Sequence, residues 1–467
     1  MTEPLQQKQE PGPEDDTSGM KDKTMQQTSR TAAIRDHAKR RDGTAEILLG
    51  ELLRALFGVE AKAISINHDQ YSLNSLNGFF EAGGEPYFFK FHQEENEEEM
   101  SGEYYRADIL AKAGLPVDQP LMMSTLPGEQ ILVYRRRSDP RFSDVLRALD
   151  LQHDEAGAKQ AVAAERRLNE AVLDVYLKTL HPVRVEEVEK EPIHRLFHDR
   201  LVTAQEGTYP GGRLASFYVD RTFDFPGVSL SWAELSAARF VVNGMEYRKT
   251  LGDLFAQAHE RLAPQRLADH GGVTAHGDAH NANVWFEQRV EGASLEHNPT
   301  GVKRGSKSAL TFFDPAFAGE HVPALLAEIK ATFHNMLAHP FWLYDPELVE
   351  RSFTAMARYE DDTLFADVDW RLSPVREALL QTKAETLWRP LLAELKRKGL
   401  LPPDWQTVIR LALFLCPTLV MNLRAGATNH NPTSSLIGLS VAIMAGSEPV
   451  EGSDLVTRFL SAIDPEG

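Results

Sequence analysis

From Ala45 onward the apolar residues Ile47, Leu48, Leu52, Leu53, Leu56 and Phe57 recur three and four apart and stop at Gly58, which predicts a short amphipathic helix closed by glycine. Ahead of it, residues 1–42 are rich in Gln, Glu, Asp, Lys, Pro and Thr with almost no large apolar side chain. Such a segment cannot bury enough surface to offset the entropy of ordering it, so it reads as a disordered tail. After Gly58 the pattern changes to short apolar runs. Ala63 to Ile66 reads as a strand, and the polar stretch Tyr71 to Gly78 as a loop. Phe79-Phe80-Glu81 and Tyr87 to His92, around Gly83-Gly84-Glu85-Pro86, carry the signature of a hairpin. Glu94 to Leu110 predicts a helix ahead of Gly114 and Pro116. Leu121 to Ser124 and Gln130 to Tyr134 predict two more strands around Pro127-Gly128.

The order strand, strand, strand, helix, strand, strand therefore fills residues 60–135. From Asp139 the periodicity is mainly helical, with Ala156 to Leu180 as a long helix and with Leu214 to Asp224 and Arg239 to Tyr247 as places for further strands. The expected class is α+β: a small antiparallel β lobe over residues 45–135, then a mainly helical lobe over 136–467 with a helical C-terminal extension.

Composition narrows the function. The 467 residues carry 50 Lys+Arg against 68 Asp+Glu, a formal charge of −18, which disfavours a protein whose work is to neutralise a phosphate backbone, so nucleic acid is not an expected partner. The single cysteine, Cys416, allows no intrachain disulfide and no cysteine-rich metal site, which fits a reducing cytoplasm. No signal-peptide pattern opens the chain, and the most apolar stretch, Val408 to Leu423, contains Arg410 and Pro417 and is too short to span a bilayer. The expectation is a cytoplasmic protein with no membrane partner.

The chemistry concentrates in Val273 to Phe286, which contains His276-Gly277-Asp278 and Asn283, and in Leu310 to Pro315, which contains Asp314. Each polar cluster abuts an apolar run, as expected of loops held between short strands, with the polar link Arg289 to Ser308 on the surface. Asp278 can accept a proton from a hydroxyl, while Asn283 and Asp314 offer oxygen ligands to a hard cation such as Mg²⁺. Lys90, at the end of an aromatic strand, can place positive charge on phosphates, and Glu103 on the following helix can hold its ammonium. That set is what phosphoryl transfer needs.

On these residues the sequence resembles the aminoglycoside phosphotransferase and choline kinase-like family, whose fold is that of protein kinases. The family's catalytic loop reads His-Gly-Asp, four residues, Asn, and His276-Gly277-Asp278 with Asn283 matches it; Asp314 matches the acid at the end of the next strand. The resemblance implies a two-lobed kinase-like fold, transfer of the γ-phosphoryl of ATP or GTP to a small-molecule hydroxyl, and Mg²⁺ held by Asn283 and Asp314. It further implies Asp278 as catalytic base, Lys90 as the α/β-phosphate contact and Glu103 as its ion-pair partner. In place of a glycine-rich phosphate loop stand Ser72, Asn74, Ser75, Asn77 and Gly78, and the choice between ATP and GTP falls to the backbone at Val133 and Tyr134. Glu328 stands where the family commonly has an Asp-Leu pair, and about 150 residues follow Asp314.

Other readings compete. His276, Asp278, His280, Asp314 and His321 could instead be ligands of a transition metal in a hydrolase. A kinase-like module without catalysis is a third possibility. His276 and His280 read first as residues that hydrogen-bond the loop. Asp345, Glu347, Asp361, Asp362, Asp367 and Asp369, interleaved with Trp342, Tyr344, Tyr359 and Trp370, could line a pocket for a cationic acceptor, although solvated helix ends and loops explain them more simply. Oligomeric state leaves no mark in the sequence.

Overall fold

The computed structural model describes residues 29–67, 75–92, 101–124, 126, 128–287 and 309–466. The chain divides into two compact units, residues 1–97 with 124–131 and residues 98–123 with 132–467. Its class is α+β, as expected, with a small antiparallel sheet early and most of the helices after it.

The first unit opens with α1 (Arg30–Arg40) and α2 (Thr44–Phe57). Helix α1 corrects the reading of residues 1–42 as a wholly disordered tail; residues 1–28 lie outside the described residues. Although α1 is polar, Thr31, Ile34 and Ala38 fall on one face and are buried, with α2 packed alongside, and Ser29 caps its N-terminus by accepting from the Ala32 amide at 3.1 Å. In α2 the predicted helix and its closing Gly58, at φ 66°, are present, but the buried stripe is Ala45, Leu49, Leu52 and Leu53: of the residues read as the apolar face, Leu52 and Leu53 are fully buried, Leu48, Leu56 and Phe57 half-buried, and Ile47 is exposed. Three antiparallel strands follow, β1 (Lys62–Ile66), β2 (Ser75–Ala82) and β3 (Glu85–His92); β2 takes in Ser75 to Gly78, which the sequence pattern reads as loop, because these residues pair with Phe89 to His92. Gly83 and Gly84, both at positive φ, turn β2 into β3, so that Phe79 pairs with Phe88 and Asn77 with Lys90.

In the second unit, α3 spans Ser101–Ala113, and the expected stretch Glu94 to Met100 lies outside the described residues. Strand β4 (Met122–Ser124) ends at the boundary between the units and β5 (Ile131–Arg135) crosses it. Helix α4 (Phe142–Leu151) leads to α5 (Glu155–Thr179), the long helix that the sequence predicts. Asp154 caps α5, its buried face runs Ala161, Ala164, Leu168, Val172, Val175 and Tyr176, and the chain leaves it toward Pro182. Each large side chain buried in this way contributes roughly 1.5–3 kcal/mol relative to exposure.

Two short antiparallel ribbons pack among these helices. Gly272–Ala275 pairs with Gly319–Pro323, and Val284–Phe286 pairs with Leu310–Phe312. The segment after Leu214 differs from the reading: Gly212–Phe217 is helical and only Thr222–Phe225 is extended, paired with Val228–Ser231. Arg239–Val242 and Met245–Tyr247 are strands, as predicted.

The C-terminal extension is mostly helical but also contains the hairpin Ala355–Glu360 and Thr363–Val368, whose second strand pairs in parallel with Arg239–Val242. The apolar stretch near Cys416 forms the buried helix Trp405–Val420. Its inward Arg410 donates from Nη1 to the carbonyls of Met444, Ala445 and Ser447 and from Nη2 to Thr457, while its buried Nε has no partner among the described residues. Among the described residues no helix is long and apolar enough to cross a membrane.

Candidate active site

The two ribbons bracket the cluster that the sequence singles out. The first strand of one ribbon ends at Ala275 and the first strand of the other begins at Val284, so residues 276–283 form the loop between them. The Phe313 amide donates to the Asn283 carbonyl at 2.9 Å, which ties Asn283 to the residue before Asp314. Trp285 stacks on Phe313 with ring centroids 4.3 Å apart, and the Phe312 amide donates to Pro116 at 2.7 Å, so the hairpin is pinned on both sides.

His276 locks the loop. Its Nε2 donates to the Phe313 carbonyl at 3.0 Å and its Nδ1 accepts the Asp278 amide at 3.3 Å, so both ring nitrogens are used. Burial keeps the ring neutral by lowering its pKa. Gly277 is required between them. Its φ is 77°, and a Cβ there would stand 2.4 Å from the Phe317 carbonyl oxygen.

The Asp278 side chain is 15% exposed, with the Lys330 ammonium 3.4 Å from Oδ1 and His280 Nε2 3.7 Å from Oδ2. Burial alone would raise its pKa. Against that, the charges of Lys330, His280, His276 and Arg200 hold it at about 2, so the carboxylate is ionised at neutral pH. Asn283 donates its amide nitrogen to the Asp278 carbonyl at 3.1 Å, which leaves its side-chain oxygen for a cation. Asp314 follows on a left-handed backbone at φ 55°. The carboxamide oxygen and the carboxylate, brought together by adjacent strand ends, are hard donors of the kind that Mg²⁺ takes.

Lys330 is a residue that the sequence reading missed. It is buried on the helix Ile329–Thr332, and its Nζ donates to His334 Nε2 at 3.0 Å. An ammonium can only donate, so Nε2 accepts and the proton sits on Nδ1, which donates to the Tyr344 hydroxyl oxygen at 2.5 Å. Burial and the Lys330 charge keep His334 neutral. The signal available was a lysine and a histidine four apart inside the apolar run Leu325 to Leu337.

The remaining predicted residues are distributed as follows. Asp278, Asn283 and Asp314 come together. Lys90 is buried on β3 opposite Asn77, in the first unit. Val133 is buried on β5, where its carbonyl accepts the Leu121 amide at 2.8 Å, and Tyr134 follows it. Ser72 and Asn74 lie outside the described residues, as do the side chains of Ser75 and Glu103. Glu328 is structural: it accepts from the Tyr176 hydroxyl at 2.6 Å and from Lys383 at 2.8 Å, with Glu165 3.4 Å from the same ammonium.

Of the histidines in the hydrolase reading, His276 is spent on the loop and His280 lies beside Asp278. His321 pairs with His181 at 2.9 Å, and among the described residues no three His, Cys, Asp or Glu side chains are grouped to hold a metal. The acids read as a possible cation pocket are dispersed too. Asp345 pairs with Arg147, Asp369 holds Thr354, and Asp361 and Asp362 form a hairpin turn.

No protein-family model matches the chain, and no curated protein matches it. Solved structures do. A thermostable mutant of an aminoglycoside phosphotransferase, in its apo form, is 11% identical with a TM-score of 0.39, over 84% of this chain and 98% of that one. A spectinomycin phosphotransferase in complex with ADP and spectinomycin is 11% identical with a TM-score of 0.37, over 85% and 98%. An ethanolamine kinase of Plasmodium vivax is 10% identical with a TM-score of 0.38, over 94% and 97%. These alignments run over most of each chain, at identities of 10–11%.

Proposed function

We propose that the protein transfers the γ-phosphoryl of a nucleoside triphosphate, ATP or GTP, to a hydroxyl of a small molecule. The observation that carries this reading is the grouping of an ionised, largely buried Asp278 with Asn283 and Asp314 on adjacent strand ends. Asp278 would accept the hydrogen bond of the acceptor hydroxyl, aim its oxygen at phosphorus, and take the proton as the new bond forms. At a pKa of about 2 it is a weak proton store, so orientation is the larger part of its work, in keeping with a loose transition state that asks little of a base. Mg²⁺ held by Asn283 and Asp314 would offset charge on the nucleotide's phosphate oxygens. Lys90, on the strand that pairs with β2, would add positive charge from the protein side, with Glu103 as its ion-pair partner and Ser72, Asn74, Ser75 and Asn77 over the phosphates. Val133 and Tyr134 would meet the base.

The test is Asp278→Asn beside Asp314→Ala. The first should lose turnover by roughly 10²- to 10⁴-fold while nucleotide binding survives. The second should abolish the magnesium-dependent rise in melting temperature with ATP or GTP. Turnover of Asp278→Asn within a few-fold of wild type would remove Asp278 as the base.

A further inference from the structure

The loop that carries Asp278 is built of short-range turns and is tied at its middle to a distant residue. The His280 amide donates to the Asp278 carbonyl at 2.9 Å and the Asn283 amide to the His280 carbonyl at 2.8 Å, which folds Asp278 and Asn283 toward each other. Between them, the Asn281 amide donates to Asn335 Oδ1 at 2.7 Å, 54 residues further along the chain. Both residues are buried, Asn281 at 4% and Asn335 at 2% exposure, so bulk water does not stand in for that acceptor.

Asn335 sits in the wide helical turn Phe333–Leu337, where the Ala338 amide reaches back five residues to the Phe333 carbonyl at 3.0 Å. In a regular α-helix the Asn335 carbonyl would accept the amide of residue 339. Here that amide goes to Met336 at 3.0 Å, and the released carbonyl takes the Arg376 guanidinium at 2.5 Å. Arg376 is fully buried; its Nε and Nη2 hold the Asp150 carboxylate at 3.0 and 2.6 Å, and the Ser373 hydroxyl adds a third bond at 2.6 Å. Asp150 stands in the last turn of α4. The same helix begins beside the strand that follows the loop: the Pro140 carbonyl accepts the Phe286 amide at 2.9 Å, and Phe142 stacks on Phe286 with ring centroids 5.6 Å apart. Loop, wide turn, ion pair and α4 thus close a ring.

We infer that Asn335 is a positioning residue for the loop 278–283, and that the buried Arg376–Asp150 pair holds Asn335 in register. One guanidinium fork meets both a carboxylate and a carbonyl, a reach that the point charge of an ammonium lacks. A buried ion pair is a poor source of stability beside an apolar pair of the same volume, and its use here is to fix where the wide turn stands. His334, the neighbour of Asn335 in that turn, takes Lys330, the cation 3.4 Å from Asp278 Oδ1. Two consecutive residues therefore order Asp278 from two sides, through its loop and through its counter-charge. This inference rests on the phosphotransferase reading for calling the loop catalytic, and not for the anchor itself.

The experiment is hydrogen exchange of the full chain, resolved to single amides by electron-transfer fragmentation, with the Gly272 amide, bound to the His181 carbonyl at 2.8 Å, as internal reference. Asn335→Leu keeps the volume and removes the acceptor, and should speed exchange at Asn281 by about ten- to a hundredfold with Gly272 unchanged. Asn335→Asp keeps an acceptor oxygen in the same place and should bring Asn281 back to within about threefold of wild type. Arg376→Lys keeps a charge for Asp150 and gives up the fork; it should speed Asn281 by about three- to tenfold, and it decides the matter if Asn335→Leu does not fold. Magnesium-dependent hydrolysis of ATP or GTP, with water in place of the acceptor, reads the consequence: Asn335→Leu should lower kcat by about ten- to a hundredfold at unchanged nucleotide KM, and Asn335→Asp should recover it. Four results overturn the inference: wild-type exchange at Asn281 in the folded variants, equal acceleration at Gly272, no recovery in Asn335→Asp, or an effect confined to KM. Failure of the phosphotransferase reading shows separately, as a wild type that hydrolyses neither nucleotide and gives no magnesium-dependent nucleotide response, with the exchange pattern intact.

Discussion

Replacing Lys330 by methionine keeps the length of the side chain and removes the cation 3.4 Å from Asp278 Oδ1. At that separation and an effective dielectric of about 20, the pair is worth on the order of 5 kcal/mol, or roughly three to four pH units on the carboxyl. In wild type the folded pKa of Asp278 lies below its ordinary value of 3.8, at about 2. Its contribution to stability, about 2 kcal/mol, is therefore complete above pH 4 and is lost as pH falls through the folded value. In Lys330→Met, burial acts with its largest opponent gone, and the folded pKa rises above its ordinary value. The sign then reverses: the contribution is present below pH 3.8 and is lost as pH rises through the raised value. Between pH 4 and 6.5, Asp278 adds no slope to wild-type stability and lowers that of the variant by about 2 kcal/mol. Urea unfolding followed by tryptophan fluorescence at half-unit steps of pH measures this difference, together with the change at His280 and His334, whose pKa values the Lys330 charge also lowers. In an Asp278→Asn background the same substitution leaves only the histidine part, so the difference between the two backgrounds isolates Asp278. A gap between wild type and variant that stays constant from pH 4 to 6.5 would refute the electrostatic role of Lys330.

Two further predictions concern the frame of the site. Gly277→Ala places a methyl group 2.4 Å from the Phe317 oxygen on a left-handed backbone; urea midpoints should report a loss of at least about 1 to 2 kcal/mol, with turnover falling alongside. Lys383→Met leaves Glu165 and Glu328 buried without their cation, which should cost about 3 to 5 kcal/mol in the same measurement; a loss below 1 kcal/mol would mean that the triad is not a structural requirement.

The parts of the fold visible in the sequence are those where periodicity or turn chemistry acts locally. Helix α2 with its closing Gly58, the hairpin around Gly83-Gly84 and the long helix α5 can each be read within one window. The set of Asp278, Asn283 and Asp314 was legible because its spacing is local to two loops, and the structure brings those three together. What stayed hidden depends on distant partners. Helix α1 is polar in composition, and Ile34 and Ala38 count only once α2 packs beside them. Lys330 is far from the catalytic loop in sequence, and a lone cation in an apolar run looks the same whether it is spent on a carbonyl, like Arg410, or on a carboxylate, like Lys330. The acids of the 361–362 turn looked like a ligand set because sequence shows charge and not the positive φ that makes a turn of them.

The parallel pairing of Thr363–Val368 with Arg239–Val242 joins segments more than a hundred residues apart, and every residue of the catalytic cluster lies on the chain between them. Such a junction has high contact order: it can close only after the intervening loop entropy has been met, so its formation belongs to the late, slow part of folding. The extra length after Asp314 is therefore threaded into the body that holds the site. Evolution cannot shed it as a detachable appendage, and an engineer seeking a minimal enzyme would have to re-close the polypeptide on the near side of Arg239 before trimming it.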